Sequence, residues 1–165
     1  MVIRLTRAMM KKIKTNPEVV VDPSRNKLCD WGVHLFRFGR LEYIIAVNSS
    51  SLLTVIFYGR GITDSNNFTR LFSHCLHERH GQLGLDESFE RFVEPSVTRF
   101  TWSTVGSPSL LGSINEYIRL AKDILEDQDV CPKELAIRMD QVPMGALKMR
   151  QPGVVHRELC SMRLV

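Results

Sequence analysis

The segment 31–58 constrains the fold of this chain more than any other part of the sequence. It contains three apolar stretches, at 33–38, 41–47 and 52–58, which are separated by Gly39-Arg40 and by a polar turn. This is the pattern of three successive antiparallel strands. In the last two stretches apolar residues occupy both alternating positions, so both faces of the sheet must be buried. The sequence therefore predicts a central sheet covered by helices.

Helical periodicity surrounds these strands. The clearest helix begins at Ser107-Pro108, where a capping hydroxyl precedes proline in the first turn, and its apolar stripe extends over 110–125. Further helices are predicted at 7–14, 64–80, 85–93 and 134–139, and further strands at 2–6 and 97–105. We therefore predict an α+β fold in a single domain over residues 1–147, with a mainly antiparallel sheet of about five strands covered by helices.

The last segment of the chain, 148–165, shows no comparable stripe. It contains Pro152-Gly153 and four Lys or Arg against one acidic residue. This composition predicts a loosely ordered, basic carboxyl-terminal tail.

The amino terminus and the cysteines indicate a cellular compartment. The first residues carry charge where a signal peptide needs an apolar stretch, and no apolar run approaches the roughly 18 residues of a membrane span. The four cysteines, at 29, 75, 131 and 160, are widely spaced, which is typical of reduced thiols. We therefore expect a cytoplasmic protein without a membrane partner.

Charge is distributed unevenly along the chain. Residues 1–40 carry a net charge of +6, residues 41–147 carry −5 and residues 148–165 carry +3. The most basic predicted helix presents Arg7, Lys11, Lys12 and Lys14. These side chains are candidates for contact with nucleic-acid phosphates. Basic ends that fold beside an acidic body would give the same distribution without any partner.

Three histidines on one predicted helix are the only candidate metal ligands that the pattern suggests. His74, His77 and His80 are spaced three apart, so neighbouring members can approach a common ion. A second set of ligands is missing from the sequence pattern, and a solvated polar helix face explains the same spacing. We therefore assign no metal and no cofactor to the chain.

Known catalytic motifs are absent from the sequence. It contains no Gly-x-Ser-x-Gly or Walker pattern, and Gly59-Arg60-Gly61 is typical of a tight turn. The candidate catalytic residues are therefore only polar residues beside apolar elements, namely Asn48, Ser113 and Asn115. These three side chains either share a pocket or tie loops to helix ends.

Several short motifs occur together in a distinctive series. They are Ile-Arg-Leu-Thr at 3–6, Trp31 followed by Leu35-Phe36, Asn48, Leu-Gly-Ser-Ile-Asn at 111–115, and Pro-Met-Gly-Ala-Leu at 143–147. With this series the chain resembles an uncharacterised bacterial family known only as a domain of unknown function. The resemblance implies a compact, stand-alone protein and implies no reaction or ligand. Pro108 and Asp140-Gln141 stand where the resemblance leads us to expect basic residues, which implies that an anion site built there in relatives is lost.

Two classes of function follow as hypotheses. The first is a non-catalytic binding or regulatory module for a protein or nucleic-acid partner, because the sequence lacks a catalytic constellation and has basic ends. The second is a small hydrolase or nuclease acting on a phosphate-containing substrate. A concave pocket around Asn48 and Asn115 would favour the enzyme, whereas a flat basic face would favour binding.

Overall fold

The computed structural model describes residues 1–17 and 19–164, and the side chains up to residue 162. Within these residues, five strands and six α-helices follow one another. They are β1 (Val2–Leu5), α1 (Arg7–Ile13), β2 (Asp30–Phe38), β3 (Leu41–Asn48), β4 (Thr54–Tyr58), α2 (Ser65–Gln82), α3 (Asp86–Phe92), β5 (Thr101–Thr104), α4 (Pro108–Asp127), α5 (Pro132–Met139) and α6 (Pro152–Leu164). Single 3₁₀ turns lie at Lys27–Cys29, Glu94–Ser96 and Gly145–Leu147. The α+β class and the number of strands agree with the prediction.

The five strands form one mixed sheet in the order β4-β3-β2-β1-β5. The predicted meander is confirmed, because β2 pairs antiparallel with β3 and β3 pairs antiparallel with β4. The prediction of a mainly antiparallel sheet is wrong, since β1 lies between β2 and β5 and runs parallel to both. The sequence of a short strand does not show whether it runs parallel or antiparallel to its neighbours. Parallel strands need a long crossover connection, usually a helix, and helices lie between β1, β2 and β5 along this chain.

Helices cover both faces of the sheet. One face, with Trp31 and Ile44, packs against α1, α2, α3 and α6. The opposite face, with Tyr43 and Ile45, packs against α4 and α5. The alternation of buried residues on β3 and β4 thus reflects two separate apolar layers, as their doubly apolar sequence predicts.

A glycine on β2 allows α4 to lie close to the sheet. A Cβ atom at Gly32 would come within 2.9 Å of Cδ1 of Ile114 and within 3.0 Å of Cδ2 of Leu110. The amino-terminal half of α4 therefore packs directly on the β2 backbone. Among the described residues, no helix combines the length and the apolar character needed to cross a bilayer.

The carboxyl-terminal segment differs from the predicted loosely ordered tail, because Pro152–Leu164 form α6. Pro152 and Gly153 begin the helix, and His156 and Cys160 are buried one turn apart on its inner face. Proline suits the first turn of a helix, where its missing N–H has no partner to lose. The buried face consists of small and polar residues rather than large apolar ones, so the sequence shows no apolar stripe.

Candidate functional site

A cleft of about 530 Å³ opens on the α4 face of the sheet. Its walls are the loop 20–23, the β3–β4 turn at 49–52, the start of α4 at 106–113, and residues 146–147. We call it the α4 cleft. Its volume lies within the range of about 300–1,000 Å³ that is usual for sites that bind small molecules.

A buried ion pair forms the floor of the α4 cleft. Arg4 on β1 and Asp30 at the start of β2 are only 7% and 2% exposed. Nε and Nη2 of Arg4 donate to the two carboxylate oxygens of Asp30 at 2.7 and 2.9 Å. Such a two-pronged pair is the strongest geometry for arginine and carboxylate. β1 and β2 lie side by side in the sheet, which brings the two side chains together.

The remaining donors of Arg4 hold the wall of the cleft. Nη1 donates to the carbonyl of Val21 at 3.0 Å and to Oγ of Ser103 at 3.4 Å, and Nη2 donates to the carbonyl of Asp22 at 3.2 Å. A guanidinium has five N–H groups, and each of them is used here. Arg4 therefore positions the loop and has no donor left for a ligand.

The start of α4 presents polar groups to the cleft. Ser107 caps the helix, because its Oγ accepts the N–H of Leu110 at 3.3 Å. Ser113 lies further along on the same side and is 5% exposed. No described residue forms a hydrogen bond with its hydroxyl, whereas the hydroxyl of Ser73 on α2 donates to the Thr69 carbonyl at 2.7 Å. The Ser113 hydroxyl is thus an unpaired polar group in the wall of the cleft, where a ligand can reach it.

The side chain of Asn48 forms hydrogen bonds that hold the β3–β4 turn in place. Its Nδ2 donates to the carbonyls of Lys27 and Asp30 at 3.0 and 3.2 Å. Its Oδ1 accepts the backbone N–H groups of Ser50 and Ser51, at 3.1 and 2.9 Å, and also the Ser51 hydroxyl at 3.0 Å. Because both ends of the amide are fully used, Asn48 ties the turn to the start of β2.

The three predicted polar candidates therefore occupy three different environments. Ser113 lines the α4 cleft, Asn48 lies fully buried beneath the turn, and Asn115 is exposed on α4 outside the cleft lining. The pocket around Asn48 and Asn115 that would have favoured the enzyme hypothesis is not formed by these residues.

The basic residues of α1 divide into exposed and paired groups. Arg7, Lys11 and Lys14 are exposed. Lys12 is half-buried and forms an ion pair with Glu42 on β3, and its hydrogen bond to this carboxylate lowers the pKa of Glu42. Three of the four predicted cations therefore remain accessible to a partner.

The three histidines of α2 also differ in their exposure to solvent. His74 is exposed, 3.9 Å from the carboxylate of Glu78, and His77 is exposed and stacks on Phe89 with 4.5 Å between ring centroids. His80 is fully buried and faces α6. The helix therefore does not bring the three imidazoles to one ion.

Two features of these sites were missed by the sequence reasoning. Arg4 interrupts an apolar strand with a charge, and an arginine at such a position signals a buried partner, here Asp30. His156 and Cys160 have the i, i+4 spacing that puts two side chains on one helix face. The sequence does not show that Asp30 pairs with Arg4 or that His80 lies beside His156, because the members of each pair are distant in sequence.

The comparisons with known proteins identify a family without assigning an activity. No curated protein and no solved structure matches the chain. A family model described as "Domain of unknown function (DUF6933)" matches residues 2–154, nearly the whole chain. The motif series at 3–6, 111–115 and 143–147 falls within this match and agrees with the resemblance inferred from it. The chain belongs to this family of domains of unknown function.

Proposed function

We propose that this chain is a non-catalytic binding module and that a small ligand occupies the α4 cleft. The observation that carries the proposal is the hydroxyl of Ser113, which belongs to a residue only 5% exposed, has no hydrogen-bond partner among the described residues and lines a cavity of ligand size. A hydrogen bond from a ligand to this hydroxyl would contribute about 0.5–1.5 kcal/mol to binding.

The lining of the cleft defines the chemistry of the ligand. Hydroxyl groups of Ser107, Ser109 and Ser113 stand on one wall, and the side chains of Leu52 and Leu110 contribute apolar surface. The charges of Arg4 and Asp30 neutralise each other, so the floor offers no free cation for a polyphosphate. The start of a helix favours negative charge. We therefore infer a ligand with an apolar body and one small acceptor group, such as a carboxylate.

The same lining argues against hydrolysis in the cleft. Activation of a serine requires a general base within hydrogen-bonding distance. Among the described residues no histidine lines the cleft, and the carboxylate of Asp30 is already occupied by Arg4 and by the backbone N–H of Ser24. The other carboxylate in the lining, that of Asp22, is exposed and forms no hydrogen bond with Ser113. Ser113 is therefore placed to hold a ligand and has no base within hydrogen-bonding distance.

Solution NMR of the full-length ¹⁵N-labelled protein tests this proposal. Hexanoate is the probe, and hexane-1,6-diamine is the matched probe without an acceptor group. We expect hexanoate to cause saturable shifts in the amide signals of residues 107–113 and 49–52, and the diamine to cause none there.

Variants make the assignment specific. Ser113→Ala removes the hydroxyl with little change of volume and should weaken hexanoate binding by about tenfold, the effect of one lost hydrogen bond of roughly 1.4 kcal/mol. Asn115→Ala, on the exposed side of the same helix, should leave the titration unchanged. Shifts scattered over the surface, or equal affinity for the two variants, would show that the cleft does not bind this class of ligand.

A second candidate function is supported by the exposed cations of α1. Arg7, Lys11 and Lys14 project from a helix that contains no acidic residue. Such a surface binds phosphates with an affinity that falls steeply with salt. A salt titration with mixed DNA and RNA fragments should then show binding that is lost in Lys11→Glu/Lys14→Glu. Lys122→Glu on α4 is the control, because each Lys→Glu substitution changes the net charge by the same amount, and it should keep the binding. Failure to bind at low salt would reject this function.

A further inference from the structure

His80, His156 and Cys160 form a compact group inside the protein, which we call the His–Cys cluster. All three residues are fully buried, and one ligand atom from each lies within 4.8 Å of the others. His80 comes from the end of α2, and the other two lie one turn apart on α6. Nε2 of His80 and Nε2 of His156 face each other at 3.2 Å.

The hydrogen bonds around the cluster determine where the imidazole protons lie. Nδ1 of His80 is 2.9 Å from the Leu76 carbonyl, which can only accept, so Nδ1 carries the proton. Nδ1 of His156 is 2.8 Å from Oγ of Ser51, and the same oxygen is 3.0 Å from Oδ1 of Asn48, so the one hydroxyl proton can go to either acceptor. A hydroxyl has one proton, so when Ser51 donates to Asn48, Nδ1 of His156 must donate to Ser51.

This arrangement, with both protons on Nδ1, brings two lone pairs close together. With both protons on Nδ1, each neutral imidazole presents an unprotonated Nε2 to the other across 3.2 Å. Two lone pairs at this distance repel unless a cation lies between them. Without a cation, the network is satisfied only if Ser51 gives up its hydrogen bond to Asn48 and donates to His156 instead.

We propose that His80, His156 and Cys160 bind one zinc-class metal ion that fastens α6 to α2. Two imidazoles and a thiolate are a ligand set that zinc accepts, and it is softer than the oxygen sets that magnesium and calcium require. The ring N–H groups that donate to Leu76 and Ser51 are the outer hydrogen bonds that orient metal-bound histidines.

The spacing of the cluster agrees with three of the four ligand positions around a tetrahedral ion. Bonds of about 2.0–2.1 Å to nitrogen put two ligand nitrogens roughly 3.3 Å apart, close to the 3.2 Å between the two Nε2 atoms. The corresponding nitrogen-to-sulfur separation is about 3.6 Å, and one ligand atom from each of the three residues lies within 4.8 Å of the others.

The surroundings of the cluster also suit an ion with a structural role. Burial lowers the pKa of His80 to about 4 and lowers that of His156 well below its ordinary value, so both imidazoles are neutral at physiological pH. Neutral imidazole is the form that binds metal. The cluster lies on the opposite side of the sheet from α4, in the core formed with α1, α2 and α3. The ion would therefore hold the last helix in place.

Metal titration of the full-length protein tests the proposal. The reduced protein is stripped with EDTA, dialysed and titrated with Co²⁺, and Zn²⁺ is then used to displace the cobalt. We expect one equivalent of Co²⁺ to bind, with the visible absorption of a tetrahedral site and a thiolate-to-cobalt charge-transfer band. Zn²⁺ should abolish both signals, and it should also raise the thermal midpoint of the wild-type protein.

Four variants distinguish this site from incidental metal binding. Cys160→Ser should eliminate the charge-transfer band and weaken binding by more than about a hundredfold, and Ser51→Ala should weaken it about 10- to 100-fold by removing an outer hydrogen bond. His77→Asn on α2 and Cys131→Ser, both exposed, should bind like the wild type.

The outcomes are decisive even when a ligand variant folds poorly. Far-ultraviolet circular dichroism of each metal-free variant reports folding, and Ser51→Ala keeps all three ligands in place. If the folded wild type binds no Co²⁺, or if Cys160→Ser and Ser51→Ala bind as tightly as the wild type, the proposal is wrong. Loss of binding in His77→Asn would place the metal on the exposed face of α2 and would also overturn it.

Discussion

Removal of the Arg4 charge should destabilise the protein strongly, because Asp30 would remain buried without its cation. In Arg4→Met the carboxylate, 2% exposed, keeps only the N–H of Ser24 as a donor at 2.9 Å. Breaking a buried ion pair by removing one partner costs about 3–5 kcal/mol. For a chain of this size we expect the thermal midpoint to fall by about 6–20 °C.

The reverse change should cost less. Asp30→Asn retains an oxygen that accepts from Nε of Arg4, and the guanidinium keeps its acceptors on Val21, Asp22 and Ser103. We expect a loss of about 2–3 kcal/mol, the value of a hydrogen bond to a charged group. The double variant Arg4→Met/Asp30→Asn leaves no buried charge. Its loss in free energy of unfolding should therefore be smaller than the sum of the two single losses by at least about 1 kcal/mol.

Urea unfolding at constant pH, monitored by circular dichroism, measures these differences. The control is Arg138→Met, which removes an exposed ion pair between Arg138 and Glu134, one helical turn apart. This change should lower the free energy of unfolding by less than about 0.5 kcal/mol. Hydrogen exchange supplies a local readout, because the amides of Val21 and Ser24 donate to Ser103 and Asp30 and belong to the loop that Arg4 anchors. A loss below 1 kcal/mol for Arg4→Met, or strict additivity in the double variant, would refute the claim that this pair holds the wall of the cleft.

Two glycines and one tyrosine give further predictions, each measured by the same urea assay. Gly112→Ala should stabilise the protein by about 1 kcal/mol, because the position is exposed in the interior of α4 and an added Cβ meets nothing within 4 Å. Gly32→Ala should instead destabilise it by about 1–3 kcal/mol, since its Cβ would collide with Ile114 at 2.9 Å; a neutral effect would show that α4 shifts freely. Tyr117→Phe should cost about 0.5–1.5 kcal/mol through the lost 3.0 Å hydrogen bond to the Leu52 carbonyl, and no change would mean that the bond adds nothing to stability.

The sequence predicts elements well where local signals agree. The start of α4 is defined by Ser107 and Pro108, and its inner face by a regular apolar stripe, so its position follows from the chain alone. The antiparallel meander follows in the same way from tight turns and alternating apolar residues. In these elements capping, periodicity and burial all favour one structure.

Features that depend on distant contacts were not predictable. The central position of β1 depends on its pairing with β5, about 100 residues later, and no local pattern encodes that pairing. The same limit applies to α6, whose inner face carries Pro152, Gly153, His156 and Cys160 rather than an apolar stripe. Its burial becomes visible only when His80 is brought opposite to it. An interior helix glycine such as Gly112 predicts a close backbone approach, and this prediction is wrong, because a Cβ there meets nothing within 4 Å and the close approach of α4 occurs at Gly32 on the sheet.

The β3–β4 turn connects the two sites that the structure suggests. Its residues Ser49 and Ser50 line the α4 cleft, and Ser51 contacts the imidazole of His156 on the other side. Oδ1 of Asn48 accepts from the backbone of both Ser50 and Ser51, so a single amide fixes the turn toward both sites. An ion that orients His156 also keeps the Ser51 hydroxyl directed at Asn48, which adds the third donor to that oxygen. The buried asparagine at the end of β3, with one acceptor and two donors, is therefore the residue through which the hydrogen bonds of the two sites meet.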